Sequence, residues 1–307
     1  MAVTALSLPS RRIGGSRWSP EMVWGTIFVI PYVVVFLGLV VWPVAYGVWL
    51  GSSPASYRTL FSDPIYFKTV LNTVIFLGVG INLKMLLALL LSGYFASVRP
   101  WVRWISVIFI LPWAVPSIPT IFSFRWMLNS EWGMFNYLLW SLFGIDGPWW
   151  LVKPDLAFGS VIFIHIWKYL PFWTLIMLAG RMAIPTDLYE AAKIDGASSL
   201  QQFWYVTWPQ VRNLYVTSLL LSTIWSLGDF NSVYLLTGGG PADKTHVLAT
   251  LGIRYAFNLQ QLGTGVATVM TALPVPAPLR STTTPPAPAR RRSAAAASTP
   301  AGARSRN

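Results

Sequence analysis

There is no cysteine among the 307 residues, which excludes disulfide frameworks, cysteine-based zinc sites and thiol nucleophiles. Charge is scarce too: only 10% of the residues are Asp, Glu, Lys or Arg, where soluble domains carry about 25%. The 10 acids and two histidines are scattered. His165 and His246 stand far apart with no acids clustered beside them, so neither a metal site nor a paired-carboxylate catalytic arrangement takes shape. No cofactor is implied, and an integral membrane enzyme would need the clustered acids or histidines that are missing. What the chain has in quantity is apolar surface: 54% of its residues are hydrophobic and 15% aromatic.

The formal net charge of +12 needs dissection. Six of the 22 basic residues, Arg280, Arg290, Arg291, Arg292, Arg304 and Arg306, lie in the last 34 positions, which contain no acid. Without them the net charge is +6. Nucleic-acid binding would need a basic face on a soluble fold. This chain offers no such fold, so no nucleic-acid partner is expected.

Long apolar runs dominate. Met22 to Leu50 exceeds the roughly 20 residues a membrane helix needs and outruns a signal-peptide core. Val70–Ala96, Val102–Trp126, Leu156–Ala179 and Leu214–Leu236 are further candidate spans. A sixth run starts near Leu262 and stops by Leu273. At about 12 residues it is too short to cross a hydrocarbon core of about 30 Å. Basic residues near the span ends orient the chain. Arg11, Arg12, Arg17, Arg99, Arg103, Arg181, Lys193 and Arg212 fall on one side, in short dense loops; Arg58, Lys68, Lys153, Lys244 and Arg254 fall on the other. The N-terminus and the 180–213 segment are therefore placed in the cytoplasm, with 129–155 and 237–261 outside. Trp101, Trp149 and Trp150 suit the aromatic belt of the membrane interface.

The loop between the fourth and fifth spans runs from Ile184 through Glu190-Ala-Ala-Lys-Ile-Asp195-Gly to Pro209. Its chemistry predicts two short helices with a break. Asp187 is placed to cap the first, with Glu190 reaching back as in a capping box. Ala191 and Ala192 leave a low helical surface that another protein can approach, and Gly196 is a natural stop. Ser198 with Gln201 repeats the capping signature, and Pro209 punctuates the second helix before the next span. On these grounds alone the hairpin is either a docking element or an ordinary connector.

Glu190-Ala191-Ala192, Gly196 and the ending at Pro209 resemble the EAA loop of the membrane subunits of binding-protein-dependent ABC importers. The fuller string Tyr189-Glu-Ala-Ala-Lys-Ile-Asp-Gly-Ala197 with Phe203 is similar to carbohydrate-uptake permeases of the maltose and glycerol-3-phosphate type. Leu235-Leu-Thr-Gly-Gly-Gly-Pro241 and Arg254-Tyr-Ala-Phe257 match that subfamily too, and the resemblance covers roughly residues 22–272. Val206 and Trp208 depart from the usual Ile and Leu. The resemblance implies a permease subunit whose EAA loop is a coupling helix seated on a separate ATPase, with Glu190, Ala191, Ala192, Asp195, Gly196 and Pro209 carrying that contact. It implies as partners a second homologous permease chain in a heterodimer, an ATPase subunit dimer, an extracytoplasmic solute-binding protein, a sugar or related small solute, and membrane lipid. A non-sugar solute such as glycerol-3-phosphate, or an ATP-independent secondary transporter, are the alternatives.

Gly238-Gly-Gly-Pro-Ala-Asp-Lys244 misses the P-loop template, because Asp243 stands where Gly must precede the Lys. It reads as an external turn, so nucleotide hydrolysis falls to another subunit. Ionisable residues inside spans are functional candidates because lipid makes them costly. Lys84, His165, Lys168 and Asp229, with Asn231 beside the last, are candidates for a translocation pathway. His165 and Lys168 share a helical face; Lys168 also fits a snorkelling lysine and His165 a satisfied bundle contact. Asp229 is free to face solute or to pair with Lys84 or Lys168. Trp167, Tyr169, Phe172, Trp173 and Trp225 are able to stack on sugar faces, though helix packing is the commoner use of such rings. Pro112, Pro116 and Pro119 imply kinks, tolerated where neighbours satisfy the freed carbonyls.

The expected fold is therefore an all-α polytopic membrane helix bundle of the ABC importer permease type. It has five full transmembrane helices plus a truncated sixth, with the N-terminus cytoplasmic. Residues 1–20 form a cytoplasmic segment and 21–273 the transmembrane domain, with the coupling loop at 184–210. Residues 274–307 hold seven Pro, nine Ala and six Arg, a composition that predicts disorder and suggests translation in a shifted frame.

Overall fold

The computed structural model describes residues 19–96 and 99–272. Arg11, Arg12, Arg17 and the expected disordered tail from 274 lie outside the described residues. Among the described residues all regular structure is helical.

Helix α1, Glu21–Gly51, carries a π-turn at Leu37–Val41, where the Trp42 N–H reaches back to the Leu37 carbonyl. The widened turn directly precedes Pro43, whose ring and missing N–H a regular helix tolerates poorly. Helix α2 is Pro54–Ser62 and α3 is Pro64–Phe95. The Asp63 carboxylate accepts the Ile65 N–H at 2.8 Å, and Pro64 opens the helix. This cap and N1 pair start α3 six residues ahead of the apolar run at Val70. Helices α4, Pro100–Ala114, and α5, Ser117–Met127, meet at a bend of 96°. The expected single span Val102–Trp126 is thus a broken pair: Pro116 and Pro119 withdraw two N–H groups in the turn where a continuous helix would need them.

Helix α6, Met134–Phe143, ends on left-handed Gly144 and was not anticipated. Helix α7 is Pro154–Met182, α8 is Thr186–Ile194, α9 is Ser199–Leu227 and α10 is Asn231–Thr237, the last two bent by 42°. Helices α11, Leu248–Ile253, and α12, Leu262–Met270, complete the described chain. By length and composition α1, α3 and α7 are long and apolar enough to cross a membrane, and the two bent pairs raise the number to five. At about 1.5 Å per residue, α12 is too short to do so; it packs on α2, α11 and the last turns of α1.

Contacts fix the register. Gly80 faces Ile162, Lys84 meets His165 and Ser92 meets Arg181, so α3 and α7 run parallel. Val211 packs near Met177, Ser226 meets His165 and Val233 packs with Val161, so α9–α10 run antiparallel to both. Two apolar clusters follow. One, around Met85, Trp173 and Val211, lies toward the α8 end; the other, around Phe76, Ile164 and Leu236, lies toward the opposite end. Lys84, His165 and Asp229 sit between them. Helix α1 stands apart, buried only at Gly51.

Candidate functional site

Helix α9 stops at Leu227 and the chain restarts at Asn231. In that break the Asp229 carboxylate accepts the Ser232 N–H at 3.1 Å and the Ser232 hydroxyl at 2.5 Å, capping α10. Its Oδ2 also lies 2.7 Å from His165 Nδ1, and His165 Nε2 lies 3.0 Å from Lys84 Nζ. A neutral imidazole satisfies both neighbours in one tautomer, donating from Nδ1 to Asp229 and accepting at Nε2 from Lys84. Ser226 Oγ sits 3.2 Å from the same Nε2, and the ammonium lies 5.7 Å from the Tyr169 ring centroid. One cation and one anion are thereby linked through one ring, all three groups buried. Buried charges persist when paired in this way.

The triad forms one wall of a cavity of about 280 Å³. Tyr169, Trp173, Trp225 and Phe230 supply aromatic surface, Asn231 lies at its edge, and the Ser222 hydroxyl lines it without a hydrogen-bond partner. Four of the five expected pathway residues, Lys84, His165, Asp229 and Asn231, thus meet at one cavity. The serines were missed. Ser218, Ser222 and Ser226 are all buried and recur every four residues, a polar stripe that helical spacing makes legible.

Lys168 is not at that cavity. Its ammonium donates to the carbonyl of Pro112 at 2.7 Å and to that of Val115. In a helix these oxygens would receive the N–H four residues on, and those residues are Pro116 and Pro119, which have none. Lys168 therefore replaces both missing donors at the C-terminus of α4, where a cation also suits the helix dipole. Of the rings proposed for stacking, Trp167 packs against Phe124 and Phe172 is stacked between Trp113 and Trp225. Only Tyr169, Trp173 and Trp225 reach the cavity.

The loop at 184–210 folds into the expected pair of helices, α8 and the start of α9, with different ends. Pro185 occupies the N-cap of α8 and no side chain caps it, so Asp187 and Glu190 form no capping box. The helix begins at Thr186, one residue before Asp187, which leaves Asp187 inside the first turn. The stop is as read. Gly196 adopts φ +77, its N–H bonds the Lys193 carbonyl at 3.0 Å and the Ala197 N–H bonds that of Ala192 at 2.9 Å, a Schellman closure. The Ser198–Gln201 capping box is present, at 2.7 and 3.4 Å. Pro209 does not interrupt the second helix: a π-turn at Phe203–Thr207 pairs the Trp208 N–H with the Phe203 carbonyl, and the helix continues through the proline. Neither α8 nor Ser199–Gln202 contains a buried residue, and Ile194 is 87% exposed. The pair is fastened at its base, where Tyr189 Oη lies 2.9 Å from the buried hydroxyl of Thr207.

At the opposite end the glycine-rich segment follows helix α10, not a strand, and closes as a turn through Thr237, Thr245 and the Gly240 carbonyl. His246 lies behind it, 3.3 Å from Asp243, which also pairs with Arg254 at 2.9 Å. Burial holds the imidazole below its usual pKa, partly countered by Asp243.

A polytopic helix bundle with a polar cavity between its long helices, and an exposed helical pair at one end, is the architecture of a membrane transport subunit. The sequence matches the family described as binding-protein-dependent transport system inner membrane component over residues 84–277, and the chain belongs to that family. It is 33% identical over 256 residues to the trehalose/maltose transport system permease protein MalF of Thermococcus litoralis, across 79% of this chain and 86% of that protein. It is 35% identical over 230 residues to the sulfoquinovosyl glycerol transport system permease protein SmoG of Agrobacterium fabrum, across 71% of each. Its fold is similar to that of a bacterial ABC transporter involved in import of the acidic polysaccharide alginate. That match has a TM-score of 0.70 at 21% identity, over 82% of this chain and 90% of that chain. The protein is thus a multi-pass inner-membrane transport subunit rather than an enzyme.

Proposed function

We propose that this chain is one permease subunit of an ABC importer for a sugar or related small solute, lining half of the translocation pathway. The observation that carries the coupling role is the well-closed helical pair at 186–202, which contains no buried residue, with apolar Ile194 and Leu200 bare and its base fastened to α9 through Tyr189 and Thr207. Glu190, Ala191, Ala192, Asp195 and Gly196 present the face that docks on a separate ATPase pair, and Pro209 marks where the pair joins the span. Movement of the docked ATPases is passed to α7, whose middle holds His165, and to α9, whose break before α10 carries Asp229 and Asn231; Lys84 joins them from α3 at the solute cavity. Lys168 supports the broken span instead.

The N-terminus is cytoplasmic, five spans cross, and 21–273 is the permease domain, in keeping with the basic side of the loops. Helix α1, apolar and unburied, fits a second, homologous permease chain as neighbour. The sugar class is supported by the names of the relatives, and an extracytoplasmic solute-binding protein by that of the family. Uptake of radiolabelled trehalose and maltose in cells expressing the chain with its partner subunits tests the reading. Gly196→Asp is expected to abolish uptake while leaving the chain at normal level in the membrane, since a Cβ there meets no atom of this chain within 4 Å and Asp is among the residues that best tolerate the left-handed φ of +77. Normal uptake by that variant refutes the coupling assignment.

A further inference from the structure

The segment between α5 and α7 builds a second cavity, of about 890 Å³, at the end of the bundle away from α8. Trp132, Tyr137, Trp140 and Trp149 line it together with Glu131 and Asp146. All four rings are exposed. Neither carboxylate has an ion-pair partner among the described residues, and no Lys or Arg lines the cavity. Its walls are built rather than loose. The Asn136 amide donates to the Ser130 carbonyl at 2.9 Å and accepts the Trp150 indole N–H at 2.7 Å. Asn129 Oδ1 accepts the N–H groups of Glu131 and Trp132 at 2.9 and 3.2 Å. Gly147 lies so close to this knot that a Cβ there would sit 2.0 Å from Asn136 Oδ1.

Exposed indoles at a span end are ordinary interface anchors, but anchoring needs no carboxylates among the rings and no fixed wall. Convergent polar groups on a preformed, largely apolar cavity mark a ligand site. Flat ring faces fit the C–H face of a pyranose, and carboxylate oxygens accept hydroxyl protons while repelling an anion. We propose that this cavity is an outer carbohydrate subsite, separate from the membrane cavity, that takes an uncharged pyranose and rejects uronates. The subsite rests on the sugar-uptake reading and on the outward placement of 129–155.

The test is binding of radiolabelled maltose, trehalose and maltotriose to the full chain in lipid nanodiscs, with trigalacturonate and choline as competitors. At least one neutral sugar is expected to bind saturably. The paired substitution Glu131→Gln with Asp146→Asn, exposed and nearly isosteric, is expected to weaken it at least tenfold, as is Trp140→Ala, with unfolding temperature unchanged. Trigalacturonate is expected to compete at least tenfold less well than the neutral sugar. Absence of neutral-sugar binding overturns the subsite, as do rim variants that bind normally, equal competition by trigalacturonate, or displacement by choline at lower concentration than by sugar. If Trp225→Ala alone abolishes binding, the sugar occupies the membrane cavity and the subsite is likewise overturned. Uptake measured in parallel separates the two readings: transport without rim binding removes the subsite and leaves the importer function standing.

Discussion

Lys168→Met keeps the length and most of the apolar stem of the side chain and deletes its ammonium. Two acceptors are then orphaned, the carbonyls of Pro112 and Val115. No backbone donor of α4 or α5 can take over in helical register, because the residues four positions on are Pro116 and Pro119. A hydrogen bond to a charged donor contributes about 1.5–3 kcal/mol in soluble proteins, while polar contacts between membrane helices average nearer 0.6 kcal/mol. Two such bonds bracket the loss at about 1–6 kcal/mol. Relief from desolvating an ammonium returns part of it, which leaves an expected destabilisation of about 2–3 kcal/mol. Unfolding of the purified chain in mixed detergent measures it. The decisive comparison repeats Lys168→Met in a Pro116→Ala/Pro119→Ala background, where the helix regains both donors. There the penalty should fall by at least half, a coupling that a double-mutant cycle isolates. An equal penalty in both backgrounds, or one under about 0.5 kcal/mol in the parent, refutes the assignment of Lys168 as stand-in donor.

Lys84→Met and Asp229→Asn should each destabilise by about 3–5 kcal/mol, since each leaves the opposite charge buried without its counterpart. The double variant should cost clearly less than the sum, and additivity in the same unfolding assay would dissolve the triad. His246 should make the loop that follows α10 acid-sensitive. Its folded pKa is depressed by burial, so its contribution is complete above the unfolded value of about 6.5 and is lost as pH falls below that toward the folded value. His246→Gln is expected to flatten the pH dependence of the melting temperature between about pH 7 and 5. Tyr189→Phe removes the bond to Thr207, worth about 1 kcal/mol. It should slow uptake several-fold with the amount of chain in the membrane unchanged.

Length and hydropathy located the long helices because a span advertises itself by a run of apolar residues, whatever surrounds it. They misplaced ends wherever a local device overrode the run. Asp63 and Pro64 start α3 early, and the π-turn at Phe203–Thr207 lets α9 pass through Pro209. Capping was legible at Ser198–Gln201, where both partners are side chains in fixed register, and not at Asp187, where the proline two residues earlier took the cap position. Helices α6 and α11, at 10 and 6 residues, are far shorter than a span, so length and hydropathy did not announce them.

The polar site divides along the same line. That Lys84, His165, Lys168 and Asp229 needed partners followed from lipid as solvent; which partner each took did not, because all four lie on different turns of three separate segments. Yet the prolines held the answer for Lys168. A spacing of four between Pro112 and Pro116, and again between Val115 and Pro119, names the two carbonyls that lose their donors. The only lysine or arginine in the sequence of the neighbouring span α7, apart from Arg181 in its last turn, is Lys168. Orphaned acceptors in one span and an unexplained cation in the next are complementary debts of hydrogen bonding. Matching them in sequence yields a contact between α4 and α7 before any coordinates. The same matching leaves Lys84 for the His165–Asp229 pair, the contact at the polar cavity between α3, α7 and α9.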